Sequence, residues 1–198
     1  MIQLTEKLEN NTMNASSRNE EVGGTPDKPL IYPVNKAKSG MELVPGSILL
    51  IAYGNNLRGD DGAGLVLAER LEQIWHAAGV PVRYLPVRQL TPELAAEMAH
   101  NEISTVVFVD TRDANEEGKQ PTIQLKAITG GPASPSTGHQ LDPTDLLTYT
   151  RLLYNKEPTS WLITTPGVDF SLGAKLSPIA STALEKAWDY LAVLLSLV

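Results

Sequence analysis

From Ser47 to Tyr53 the chain reads Ser-Ile-Leu-Leu-Ile-Ala-Tyr, apolar at consecutive rather than alternate positions. That is the pattern of a strand buried on both faces, as in the middle of a parallel sheet. Beyond a glycine-rich turn, Leu65, Val66, Ala68, Leu71 and Ile74 recur at helical spacing and predict a helix over about 62–78. Residues 80–87 read as a second strand. Thr91-Pro92-Glu93 has the order of a helix start, with threonine as cap, proline at the first position and an acid in the first turn. It predicts a second helix to about His100. Residues 105–110 form a third apolar strand, which ends on the carboxylate of Asp110. Residues 111–121 are polar and loop-like, 122–128 alternate as in a short edge strand, and 129–140 hold glycines and prolines typical of an irregular loop. Asp142-Pro143-Thr144-Asp145 opens a third helix carrying Leu146, Leu147, Tyr149, Leu152 and Leu153. Residues 160–165 are a fifth strand and 166–176 another glycine-containing loop. Ser177-Pro178 starts the last helix, with Ile179, Leu184, Trp188, Leu191 and Leu195 on its apolar side.

Strands alternating with helices imply an α/β fold, a three-layer α-β-α sandwich. Its twisted sheet of about five strands is expected to be mostly parallel, with helices on both faces. Right-handed crossovers bring the loops after the first, third and fifth strands to one edge of that sheet, where such folds bind ligands. Residues 1–44 are different: polar, aperiodic and too poor in apolar side chains to offset their ordering entropy. They are read as a disordered extension, with Ile31-Tyr32-Pro33-Val34 as a candidate docking piece. Residues 45–198 are read as a single domain.

Composition narrows the chemistry. A chain of 198 residues, 42% of them hydrophobic, has material for one full core. The net charge of −7 argues against non-specific nucleic-acid binding, which needs a positive surface. There are no cysteines, so thiolate zinc sites, iron–sulfur clusters, disulfides and cysteine nucleophiles are excluded. Any metal has oxygen and imidazole ligands. No apolar run approaches the roughly 18 residues of a membrane span, and the N-terminal residues lack the basic-then-apolar order of a secretory signal. The expected location is cytoplasmic.

The candidate chemistry gathers at Asp60 and Asp61, in the turn 54–64, with Asp110 and His139. Asp61, Asp110 and His139 would supply two carboxylates and one imidazole from three loops, a set suited to a borderline divalent ion with positions left open. Spacing alone leaves other readings standing. Asp60 reads equally well as a cap of the following helix, Asp110 as a partner of Arg112, and His139 as a surface residue. His76 and His100 lie near helix C-termini, where the dipole favours a cation. Arg58 is placed to pair with one of the acids or to face a partner. Trp75, Trp161 and Trp188 read as packing residues. A receiver-like phosphoacceptor domain also groups acids at strand ends, but the fifth strand here ends in Thr164-Thr165 where a receiver needs lysine. A nucleotide-binding module is disfavoured because the turn lacks both glycine-rich phosphate signatures and is negatively charged.

The run Gly54-Asn55-Asn56-Leu57-Arg58-Gly59-Asp60-Asp61-Gly62-Ala63-Gly64 resembles the signature of the nickel–iron hydrogenase maturation proteases. Val109-Asp110 resembles that family's strand-end aspartate, and Gly138-His139-Gln140-Leu141 its histidine segment. The resemblance spans about residues 46–195. It implies an endopeptidase that removes a C-terminal peptide from the hydrogenase large-subunit precursor after nickel insertion. It further implies that Asp61, Asp110 and His139 contact a nickel ion carried in by that precursor, as metal-binding and catalytic residues. Asp60 is left to orient the loop or act as a base. Two positions depart from the family's usual pattern: Asp61 stands where many members have glutamate, and Ala52 where a glycine is usual. A non-catalytic metal-sensing adaptor is the rival within the same resemblance, and a monomer is the expected state.

Overall fold

The computed structural model describes residues 45–116, 122–131, 141–173 and 175–195, the side chains of 188–195 excepted. The N-terminal extension and His139 lie outside the described residues. Among the described residues, five strands form one sheet in the order β2-β1-β3-β5-β4. These are β1 (Ser47–Tyr53), β2 (Val82–Val87), β3 (Ile103–Asp113), β4 (Gln124–Ile128) and β5 (Thr159–Gly167). All neighbours are parallel except β4, an antiparallel edge strand on β5. Four helices cover the sheet: α1 (Ala63–Ala77), α2 (Leu94–Met98), α3 (Pro143–Tyr154) and α4 (Pro178–Leu195). A receiver-like doubly wound sheet has the order 2-1-3-4-5; the antiparallel edge strand inserted by sequence before β5 sets this chain apart.

The continuous apolar run of β1 divides by the two-residue period of a strand. Ile48, Leu50 and Ala52 join Val107, Val109 and Ile163 in a core with Leu67, Leu71 and Trp75 of α1 and Ala180, Leu184 and Ala187 of α4. Leu49 and Ile51 face the opposite way, with Val106 and Phe108, into a core closed by Leu94 and Met98 of α2 and Leu146 and Leu147 of α3. Both faces of β1 and β3 are therefore dry, which is why neither alternates in sequence.

Several expectations shift. β3 runs three residues past Asp110, because β5 continues to pair with it as far as Asp113↔Gly167 after β1 has ended. Thr111 is buried there but its hydroxyl is paired with Gly64 and Thr165, and Asp113 is exposed. The helix at Ala63 is preceded by a 3₁₀ turn at Gly59–Gly62. α2 is a single short turn pair, and its start is closed by backbone bonds such as Leu94 N–H to the Thr91 carbonyl, not by a threonine side-chain cap. Among the described side chains of α4, Ala180, Ala183 and Ala187 are buried with Leu184, and Ile179 is half-buried; the side chains of Trp188, Leu191 and Leu195 lie outside the described residues. The start of α3 is as expected. Asp142 accepts from the N–H groups of Thr144 and Asp145, while Asp145 returns a bond to the Asp142 N–H, a complete capping box.

Candidate functional site

The parity that sorts the two cores also builds the site. Counting by twos from Leu49 reaches Tyr53, and from Val106 reaches Asp110, so these two side chains leave adjacent strands on the same face. The last β1–β3 pair, Ala52↔Val109, places them side by side. The Tyr53 hydroxyl is hydrogen-bonded to the Asp110 carboxylate, whose Oδ1 also accepts the Thr111 N–H at 2.7 Å. Burial pushes the Asp110 carboxyl up, from 3.8 to about 6; the bonds from Tyr53 and Thr111 oppose the rise, and the charge of nearby Asp61 adds to it. Burial, followed by the charge of Asp110, likewise pushes the Tyr53 phenol far above its ordinary range. Asp142 also bears on Tyr53, so the start of α3, three residues after His139, reaches the same end of the sheet.

Thr111 points to the opposite face, under α1. Its Oγ1 accepts the Gly64 N–H at 3.0 Å and lies 2.9 Å from Thr165 Oγ1, which in turn donates to the Asp110 carbonyl at 3.2 Å. One proton order satisfies the chain: Gly64 to Thr111, Thr111 to Thr165, Thr165 to Asp110. A Cβ on Gly64 would stand 3.0 Å from the Asp110 carbonyl carbon, so glycine lets α1 seat directly on the strand that carries Asp110.

Asp61 belongs to the 3₁₀ turn. Its Oδ2 accepts the Asn55 N–H at 2.8 Å and its own N–H donates to the Arg58 carbonyl. Gly54 makes this return possible. Its φ is +147°, and a Cβ there would overlap the Asp61 carbonyl oxygen. Asp61 and Asp110 are each oriented by a backbone N–H, and Asp61 sits close enough for its charge to be felt at Asp110. Two oriented carboxylates fit a hard-to-borderline divalent cation. Among the described residues no group of three His, Asp or Glu side chains converges as a metal-ligand cluster. The third expected ligand, His139, lies outside the described residues.

Asp60 is not a cap of α1 and does not share that site. It is fully buried and turned away, toward the β5–α4 segment. Its Oδ2 accepts from the N–H groups of Val168 (2.8 Å) and Asp169 (3.0 Å) and from the Ser177 hydroxyl (2.7 Å), and its Oδ1 accepts the Ser177 N–H (2.7 Å). Two adjacent aspartates thus divide the work: Asp60 holds a loop, and Asp61 accepts the Asn55 N–H within its own turn, near Asp110. Arg58 donates through Nε to the Phe170 carbonyl, on the same loop. Arg112 donates to the Thr164 carbonyl and hydroxyl and to the Thr122 carbonyl. His76 and His100 are exposed, the former in the last turn of α1 and the latter 3.9 Å from Glu97. Trp75 is core, Trp161 packs against it, and the Trp188 side chain is outside the described residues.

A cleft of about 180 Å³ opens beside the turn, lined by Gly54, Asn56, Leu65, Pro86, Val87 and Arg88 at the carboxyl ends of β1 and β2. The sequence reading missed it, since Pro86, Val87 and Arg88 carry no motif. Only the β1–β2 pairing, with Tyr53↔Val87 as its last partners, brings them beside the signature.

No protein-family profile and no curated protein matches the chain. Solved structures do. A nickel–iron hydrogenase maturation protease, HycI, from Thermococcus kodakarensis matches with a TM-score of 0.56 at 21% identity, over 76% of this chain and 92% of its own. The hydrogenase maturating endopeptidase HybD of E. coli matches with the same score, identity and coverage. A hydrogenase maturation protease HybD from Thermococcus kodakarensis matches with a TM-score of 0.51 at 21% identity, over 75% of this chain and 98% of its own. With its antiparallel edge strand, its signature turn and its covered sheet, the described chain has the fold of the nickel–iron hydrogenase maturation endopeptidases.

Proposed function

We propose that this protein is an endopeptidase that removes the C-terminal peptide of a nickel–iron hydrogenase large-subunit precursor after nickel insertion. The observation that carries the reading is the Asp61–Asp110 pair. Two carboxylates, one from the signature turn and one from β3, are oriented by backbone N–H groups at the carboxyl edge of a sheet of the maturation-protease fold. Asp61, Asp110 and His139 are the residues assigned to contact the nickel, which arrives as part of the substrate. A chain without cysteine suits that division, because thiolate ligands would then come from the precursor. An empty precursor would give the two acids nothing to bind, so cleavage depends on the metal being in place.

On this reading the protein's own residues do four things. Asp110, held by Tyr53 and Thr111, presents a negative oxygen in a largely dry place, where a cation is bound more strongly than in water. Asp61 does so from the turn beside it. Their charges position the metal-bearing segment, and the cation polarises the scissile carbonyl and its attacking water. Asp60 keeps the turn in place. The test is processing of nickel-loaded precursor, read by mass, with Asp61→Ala, Asp110→Ala and His139→Ala. Each substitution is expected to lower the rate by at least about 100-fold. Unimpaired cleavage by any one of them removes that residue from the site. An adaptor that binds the loaded precursor without shortening it would show retained binding and no mass change for the wild type.

A further inference from the structure

Beside the acid pair, two loops pair through a single bridge. Arg58 and Gly173 lie side by side in parallel, with the Gly173 N–H on the Leu57 carbonyl at 2.8 Å and the Gly59 N–H on the Gly173 carbonyl. The bridge carries two leucines into solvent: Leu172 is 90% exposed and Leu57 53%. Exposed leucines are ordinary singly, but here two stand on adjoining segments, and Leu172 gains almost nothing from folding.

The segments are also held firmly. Residues 168–173 and 175–177 are tied to the 3₁₀ turn by the four bonds to Asp60, by the Asp60 N–H to the Asp169 carbonyl, and by Arg58 Nε to the Phe170 carbonyl. A Cβ on Gly59, whose φ is +47°, would stand 2.5 Å from the Asp169 carbonyl oxygen, so the two segments are in backbone contact. A buried carboxylate is a costly device for anchoring a surface loop. It presents the leucines in a fixed place, which reduces the ordering cost of binding anything that covers them. The same turn holds Asp61, through its N–H on the Arg58 carbonyl. The leucine ridge and Asp61 are therefore one hydrogen-bonded unit. Charge at the ridge also differs from the rest of the molecule: exposed Arg58 and Lys175 lie on its two segments against one exposed acid, Asp169, a positive margin on a chain of net charge −7.

We infer that the Leu57 and Leu172 ridge, with Arg58 and Lys175 at its margin, is the docking surface for the folded body of the precursor, whose apolar segment with acidic neighbours covers it while the metal-bearing segment lies at Asp61 and Asp110. This rests on the endopeptidase reading. The apolar contact supplies affinity that does not depend on the metal, and the acid pair supplies the metal dependence.

The experiment compares wild type, Leu57→Ser, Leu172→Ser and the double variant on nickel-loaded precursor, with Leu153→Ser, 67% exposed on α3, as control. Leu172 is 90% exposed, so its variant's unfolding curve is expected to overlay that of wild type; Leu57 is about half exposed, and its variants are expected to shift Tm by no more than about 5 °C. The double variant is expected to raise KM for the precursor by at least about 10-fold with kcat within about two-fold, and to weaken binding of nickel-free precursor equally. Leu153→Ser is expected to match wild type. An unchanged KM and affinity in the double variant overturns the docking surface and leaves the endopeptidase reading intact. Wild type that neither binds nor shortens the precursor overturns both. A concentration-dependent dimer in sedimentation, abolished by Leu172→Ser, assigns the ridge to a second copy and overturns the proposal.

Discussion

Replacing Asp60 by asparagine tests how the signature turn is held. In the wild type one carboxylate oxygen takes three hydrogen bonds and the other takes one, and the residue has no exposed surface. Asparagine keeps the shape but offers one acceptor. With its oxygen in the three-bond position, its amide nitrogen meets the Ser177 N–H donor to donor. That bond, worth about 2 kcal/mol to a charged acceptor, is lost. The other three fall from charged to neutral acceptors at roughly 1 kcal/mol each. Against this, a neutral amide costs less to bury than a carboxylate and returns roughly 1–3 kcal/mol. The net destabilisation is about 2–4 kcal/mol. For a domain of this size it lowers Tm by roughly 5–15 °C. Urea and thermal unfolding of the two proteins at pH 7 measure it. Ser177→Ala, which removes the hydroxyl bond to Asp60 and the cap it gives the Ala180 N–H, is expected to cost about 1–2 kcal/mol. A loss under about 0.5 kcal/mol for Asp60→Asn would refute the reasoning, because four bonds to a buried charge would then contribute nothing.

Two further outcomes follow from the site. Asp110 has its carboxyl raised to about 6 from 3.8, with Tyr53, Thr111 and Asp61 facing it, so the folded state holds its proton more tightly than the unfolded state. The sign is then fixed: its contribution is fully present below about pH 4, falls as pH rises toward 6, and is flat above, a loss of up to about 3 kcal/mol. Asp110→Asn should remove that component from the stability–pH profile, measured by urea unfolding from pH 4 to 8; an unchanged slope would show that Asp110 titrates as if exposed. Gly54→Ala is expected to destabilise by about 3 kcal/mol or more and to displace Asp61, since the added Cβ overlaps the Asp61 carbonyl oxygen at a φ of +147°. Near-wild-type stability, read by thermal unfolding, would count against the tight turn.

How much of this was legible beforehand depended on whether the cause is local. The run 47–53, the helical spacing after Gly62 and the Asp142-Pro143-Thr144-Asp145 cap are short-range features, and each predicted its element. The signature turn itself was visible as a motif because Gly54, Gly59 and Gly62 answer to close backbone approaches within and around it. The roles of its two aspartates were not, since Asp60 and Asp61 are chemically identical neighbours. Only their rotation about the 3₁₀ turn sends one to the buried N–H groups of Val168, Asp169 and Ser177 and the other to the Asn55 N–H, near Asp110. The end of β3 was misjudged for a similar reason. Strand length past Asp110 depends on β5, whose paired residues lie 54 positions further along the chain, as the Thr105↔Thr159 and Asp113↔Gly167 pairs show. By itself, then, the sequence determined the elements, the α/β class and the candidate acids, because hydrophobic period and turn chemistry act over a few residues. Tertiary structure alone decided that Tyr53 meets Asp110, that Asp60 is a staple and that Leu57 and Leu172 share a ridge. Each of those depends on strand register and loop contact between segments far apart in the chain.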